Sequence, residues 1–241
     1  MLPLRDNVPT QHFPILTVGL IAANVLVFVL YQDAGADPGF TASVNDLAFH
    51  PCEVEDSCRQ VGRDWPPTLL SSLFMHAGWA HLLGNMLFLW IFGNNVEDSM
   101  GHLRFLLFYL LTGLVAAGAH VVSDPSSPVP TVGASGAISG IMGAYLVLYP
   151  RARVMTLFII VVFIRILPIP AWLMLGYWFL IQLLSAQITG AGGGGVAFWA
   201  HVGGFVAGLA LVIPFRNPRL VEAKRSHVKL PRDRIEHGGW W

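Results

Sequence analysis

Hydrophobic and polar positions alternate along this chain as long apolar runs split by short polar stretches. A helix needs roughly 17–25 apolar residues to cross ~30 Å of hydrocarbon. Six runs meet that length, at about Phe13–Tyr31, Met75–Phe92, Phe105–Val122, Val132–Tyr149, Ala171–Ile188 and Val196–Phe215. A further apolar stretch, Val154–Leu167, is shorter, carries Arg165 and closes on Pro168 and Pro170. It reads as an interfacial or re-entrant piece. The first run has two readings, because Ala34-Gly35-Ala36 resembles a signal-cleavage site. Its apolar core exceeds the usual ~7–15 residues and only Arg5 precedes it, which favours a retained span. The predicted fold is therefore all-α, a polytopic membrane protein with a bundle of six transmembrane helices. Its parts are an N-terminus over 1–12, a first helix over 13–31, a loop over 32–64, a membrane core over 65–215 and a basic tail over 216–241.

Composition strengthens this reading. Hydrophobic residues make up 54% of the 241 and charged residues 12%, about half the roughly 25% charge of soluble domains. So much apolar surface needs lipid as its solvent. The formal net charge is zero, and nothing points to nucleic acid. The signs are nevertheless sorted. With six spans, Arg5, Arg104, Arg151, Arg153, Arg165 and the basic residues after the last span share one face, leaving only Arg59 and Arg63 opposite. Excess Lys and Arg mark the cytoplasmic side, so both termini are expected there, in a bacterial plasma membrane. Counting Val154–Leu167 as a span would export the charged tail.

The loop facing the other way holds both cysteines, in Pro-Cys52-Glu-Val-Glu-Asp-Ser-Cys58. An oxidising exoplasmic side permits a disulfide there. Two free thiols are the alternative, whereas two thiolates are only half a zinc site. The tail, ending in Trp240-Trp241, reads as a basic interfacial anchor.

No span carries a carboxylate, Lys or Arg away from its margins, which removes the usual proton relays of pumps and transporters. For chemistry within the spans there remain Ser, His and Asn. Ser135 lies in Gly133-Ala134-Ser135-Gly136 at the head of the fourth span, where backbone amides are unpaired and the helix dipole is positive. Such a place can stabilise an oxyanion forming beside the hydroxyl. Alternatively, Ser135 caps the helix and Gly136 and Gly140 form a packing face. His201, in Ala200-His201-Val-Gly203-Gly204, shares a helical face with Gly204 and Gly208. It is either a functional base or an interhelical hydrogen-bond donor. In the second span His81 and Asn85 stack one turn apart, whereas His76 falls at the membrane edge without a role. Spans two, four and six enter from the same face, so these groups converge at similar depth, with Ser135 about 5 Å and His201 about 8 Å in. No metal or other cofactor is expected.

These motifs, in this order and spacing, resemble the rhomboid intramembrane serine proteases over roughly Trp65 to Phe215. The segment Gly93 to Phe105, with Glu97, Gly101 and Arg104, resembles the family's loop after the second span. The resemblance implies Ser135 as nucleophile and His201 as general base. It also implies His81, Asn85 and the Ser135 backbone N–H as oxyanion donors, and transmembrane-helix proteins in the bilayer as substrates. A Ser-His dyad is implied rather than a triad, since Glu97 and Asp98 sit at the cytoplasmic end of span two. One position departs: some rhomboids carry an aromatic residue four places after the nucleophile, and here that residue is Ser139. What orients His201 is therefore open. The rival reading is a catalytically inactive rhomboid-like protein that binds and escorts membrane proteins.

Overall fold

The computed structural model describes residues 2–55, 57–58, 66–160, 163–189 and 197–226. Arg59, Arg63 and the end of the tail, including Trp240 and Trp241, lie outside the described residues.

The fold is mostly helical, with α7 (Ser135–Leu148) at its centre. Every residue of α7 from Gly136 to Tyr145 is buried, and its main neighbours are α6 (His102–Ser123) and α9 (Phe198–Phe215). Around these stand α1 (Ile15–Leu26), α4 (Trp79–Phe88), α5 (Asn94–Met100) and α8 (Ala171–Thr189), and two short helices, α2 (Gly39–Leu47) and α3 (Thr68–Ser71), lie between α1 and α4 in the chain. A π-turn over Leu89–Gly93 joins α4 to α5, and Gly101, at φ +87°, turns the chain from α5 into α6. Among the described residues three helices, α6, α9 and Ala171–Ile188 of α8, are long and apolar enough to cross a membrane. Ile15–Tyr31 and α7 are apolar but shorter. Outward-facing apolar side chains such as Leu30, Val122 and Ile188 are 76–85% exposed, a surface suited to lipid.

Two sequence expectations shift. The fourth span begins helically at Ser135 rather than Val132, because Gly133 at φ +117° breaks the approach. The second begins at Trp79 rather than Met75, after Gly78. The strictly all-α expectation also gives way. Leu2–Asp6 (β1), Arg153–Ile160 (β2) and Phe163–Pro170 (β3) form an antiparallel sheet ordered β1-β2-β3. Val154 and Thr156 are fully buried while Ile159 is 66% exposed, a period-two pattern that a pleated strand produces. β-Branched residues favour it, and Pro168 and Pro170 are tolerated because β3 is an edge strand.

At the end of the bundle that holds this sheet, two buried carboxylates tie the elements together. Glu97 accepts hydrogen bonds from the Leu16 N–H (2.9 Å), the Thr17 N–H (2.7 Å) and the Thr17 hydroxyl (2.6 Å), so it caps α1 from a different helix. Those first-turn amides have no intrahelical partner. Asp98 accepts from Gln11 N–H, from His12 and, at 2.8 Å, from Lys224 Nζ. Lys224 lies on α10 (Pro218–Arg225), whose Leu220 and Val221 are also buried. The described start of the tail is thus docked into the protein instead of lying free as an interfacial anchor. Burial pushes the Lys224 ammonium below its usual pKa, and the Asp98 carboxylate opposes that shift. Burial likewise raises the Asp6 carboxyl, partly offset by donors on Tyr145 and Asn95.

Candidate active site

The crossing of α7 and α9 is a backbone-to-backbone contact. A Cβ on Gly204 would collide with the Gly136 carbonyl, and one on Gly208 would come within 2.8 Å of Gly140 Cα. Gly136 and Gly140 in turn face Ala116 and Thr112 of α6. The four packing glycines expected from sequence therefore meet in one place. Their effect is to bring the heads of α7 and α9 close enough for side-chain chemistry.

At those heads His201 Nε2 lies 2.8 Å from Ser135 Oγ. The other ring nitrogen, Nδ1, lies 2.8 Å from Oε1 of Gln182 on α8. An amide oxygen can only accept, so Nδ1 carries the proton and Nε2 presents its lone pair to the serine hydroxyl. The Trp178 ring stands 6.0 Å from the imidazole and tilted by 37°, and Phe198 meets its edge.

On the opposite side, Gly133 holds the loop against α4. A Cβ there would sit 2.9 Å from His81 Nε2 and 3.5 Å from Asn85 Nδ2. His81 Nδ1 accepts from the Ala77 N–H at 3.3 Å, which leaves the proton on Nε2, the nitrogen beside Gly133. Among the described residues Asn85 Nδ2 is buried without a partner, a donor awaiting an acceptor. In α7 the first intrahelical bond runs from Ile138 N–H to the Ala134 carbonyl, so the Ser135, Gly136 and Ala137 amides precede the ladder. The approach to this helix is pinned by Gly133 N–H to the Ser72 carbonyl and by mutual bonds between Phe49 and Thr131. Nearby, Cys52 and Cys58 are joined in a disulfide, and Cys52 N–H bonds the Ser127 carbonyl. His76, given no role from sequence, is fully buried, and its backbone is held by the Gln32 side chain.

Ser135, His201, His81, Asn85, Gln182 and His120 all line one cavity of about 550 Å³. A serine hydroxyl, an imidazole and two further polar side chains, His81 and Asn85, thus share one space. A rhomboid domain model matches residues 64–218, which include all of these residues.

The chain belongs to the rhomboid family.

Among its relatives, rhomboid protease GluP of Bacillus subtilis is 36% identical over 203 residues, 83% of this chain and 36% of that protein. The mitochondrial rhomboid protein 1 of Saccharomyces cerevisiae is 27% identical over 183 residues, 72% of this chain and 46% of that protein. The human mitochondrial presenilin-associated rhomboid-like protein is 29% identical over 143 residues, 58% of this chain and 35% of that protein. The chain spans less than half the length of each of these three. Membership in the rhomboid family and the apolar helices make this an integral membrane protein.

Sequence reasoning missed Gln182 and Trp178 by counting only Ser, His and Asn within the spans. A signal was present: in α8 Gln182 is the sole strongly polar side chain between Tyr177 and Ser185, and Trp178 precedes it by four residues. Ser139, the departing position, points away from this task. Its hydroxyl donates to the Ser135 carbonyl at 2.6 Å.

Proposed function

We propose that this rhomboid is an intramembrane serine endopeptidase that cuts transmembrane segments of membrane proteins near the exoplasmic face. The observation that carries the reading is the 2.8 Å approach of His201 Nε2 to Ser135 Oγ. Serine is a weak nucleophile until a neutral imidazole takes its proton. In this mechanism Oγ attacks the scissile carbonyl while His201 becomes an imidazolium. The oxyanion is met by the Ser135 N–H, the His81 Nε2–H and the Asn85 amide, all in place before charge develops. His201 then protonates the leaving amine, and water from the cavity hydrolyses the acyl-enzyme.

The short central helix supports a site below the membrane surface. α7 has 14 residues, or about 21 Å, which is roughly 9 Å less than the hydrocarbon thickness. With Arg151 and Arg153 fixing its far end in the cytoplasmic headgroups, Ser135 lies about 9 Å beneath the exoplasmic surface, deeper than the sequence count suggested. Six spans with both termini cytoplasmic, in a bacterial plasma membrane, complete the setting. A substrate helix must open its backbone hydrogen bonds to be cut, so small or helix-breaking residues near the scissile bond lower the barrier.

The test is labelling by a fluorophosphonate probe together with cleavage of a transmembrane reporter in liposomes. Ser135→Ala and His201→Ala should each abolish both, and the double variant should be no worse than either single one. Continued cleavage by Ser135→Ala would refute the mechanism. Reporter binding with no labelling of the wild type would favour the inert escort instead.

A further inference from the structure

Family membership and the proposed dyad leave open what holds the base. The position four residues after Ser135 carries Ser139, whose hydroxyl is occupied by the Ser135 carbonyl, so this position does not hold the imidazole. Among the described residues the partner of His201 Nδ1 is Gln182 Oε1, at 2.8 Å. Trp178, one turn earlier on α8 and therefore on the same face, lies alongside the ring at 6.0 Å. Trp178 is itself held against Phe205 at 5.9 Å. One helix thus provides both an in-plane acceptor and a facing ring.

We propose that Gln182 is the positioning residue for His201, taking through a neutral amide the role that a carboxylate fills in a catalytic triad. This inference rests on the protease reading. The physical case has three parts. A general base for Ser135 needs its lone pair on Nε2, which requires the proton on Nδ1 and an acceptor for it there. Gln182 Oε1 is such an acceptor and never competes for the proton. When His201 is protonated in the transition state, both N–H groups become donors, and the amide dipole keeps Nδ1–H in place while Nε2–H turns to the leaving group. A carboxylate would serve the tautomer equally well but would have to be kept ionised inside the bilayer, where charge is costly. The amide provides the orientation without the charge. Trp178 restricts rotation about the ring axis, so the Oγ–Nε2 line survives substrate entry.

The experiment compares full-length wild type, Gln182→Met and Gln182→Glu in liposomes, reading kcat, KM and the rate of fluorophosphonate labelling. Nitrogen-15 spectra of labelled histidine in the Ser135→Ala background report the tautomer of His201 independently of turnover. Methionine keeps the volume and removes the acceptor. The expected result is a fall in kcat and labelling rate of about 10- to 100-fold with KM within about twofold, part of the 10²–10⁴ a general base supplies. Glutamate keeps an acceptor oxygen in the same position and should retain kcat within about threefold. The spectra should show Nδ1–H in the unsubstituted Gln182 protein and a mixture of tautomers in the Met variant.

A Met variant with wild-type kcat, or Met and Glu variants that fall equally, would overturn the positioning role while leaving the protease reading intact. If the Met variant does not fold, an Nε2–H tautomer in the Gln182 protein overturns it instead. A wild type that neither labels nor cleaves would remove both the protease reading and this inference.

Discussion

Adding a single methyl group to Gly204 should separate the helices that carry the proposed dyad and abolish the proposed cleavage. In Gly204→Ala the new Cβ would fall onto the Gly136 carbonyl, with the carbonyl carbon at 3.1 Å and Ala116 Cβ at 3.3 Å. None of these can yield alone. Two are backbone atoms of buried α7, and Ala116 belongs to α6, which packs on the other side. Restoring ordinary van der Waals separation from the carbonyl oxygen requires α9 to move by about 1 Å. Overpacking of this kind typically costs 1–3 kcal/mol. The same shift lengthens the 2.8 Å bond between His201 and Ser135 past hydrogen-bonding range, and a 1 Å misplacement in a catalytic pair costs about 10²-fold in rate.

Thermal unfolding in detergent reads the first effect and reporter cleavage the second. Gly176→Ala is the matched control. It adds the same methyl to a helix position with nothing within 4 Å, where the exchange should be neutral or stabilise by ~0.4–1 kcal/mol. If Gly204→Ala retained wild-type activity and melting temperature, the idea that backbone contact at this crossing sets the distance between the dyad residues would be wrong.

Three further outcomes are expected. Lys224→Met should destabilise by about 3 kcal/mol, because it strands the buried Asp98 carboxylate, while adding Asp98→Asn should recover part of the loss; chemical or thermal denaturation checks both. Asp6 has a raised folded pKa through burial, so its contribution is present below 3.8 and lost as pH rises through the raised value. The melting temperature of Asp6→Asn should therefore gain on wild type as pH climbs through that window, and a constant difference across it would contradict this. Ser139→Ala should be mild, whereas Ser139→Tyr forces a ring into a position only 1% exposed and should cost about 1–3 kcal/mol by thermal melts. A Tyr variant that melts as wild type and cleaves faster would show spare room beside His201.

How far the sequence could be read depended on whether each group answers to its own helix or to a distant one. Ser135, His81, Asn85 and His201 each sit at a helix register fixed by local glycines and by periodicity, so their convergence could be foreseen. The glycine faces of spans four and six were legible for the same reason. Gln182 stands out as a polar residue in the sequence, but its role was not legible, since only packing against α9 decides which side of α8 faces the imidazole. The sheet was hidden for a related reason. A short apolar run does not distinguish strand from buried helix, and the partner of β2 in β1 lies about 150 residues earlier. Glu97 could be placed at the cytoplasmic end from sequence. That it would cap α1, 80 residues away, could not be foreseen.

The distribution of charge explains why such a site tolerates a membrane. Buried Glu97, Asp98 and Lys224 and half-buried Asp6 are gathered at one end of the bundle, each with donors or counter-charge around it. The side chains proposed to serve the dyad, Gln182, Asn85 and His81, carry no permanent charge. An isolated charge there would cost several kcal/mol. Acyl transfer avoids that cost, because the imidazolium and the oxyanion form together from neutral groups. The pair carries no net charge, and each member meets a waiting dipole. A permanent carboxylate beside His201 would stabilise one half of that pair while burdening the resting state. A neutral acceptor on α8 favours the charge-separated state only once it exists, which is the condition for catalysis by differential stabilisation.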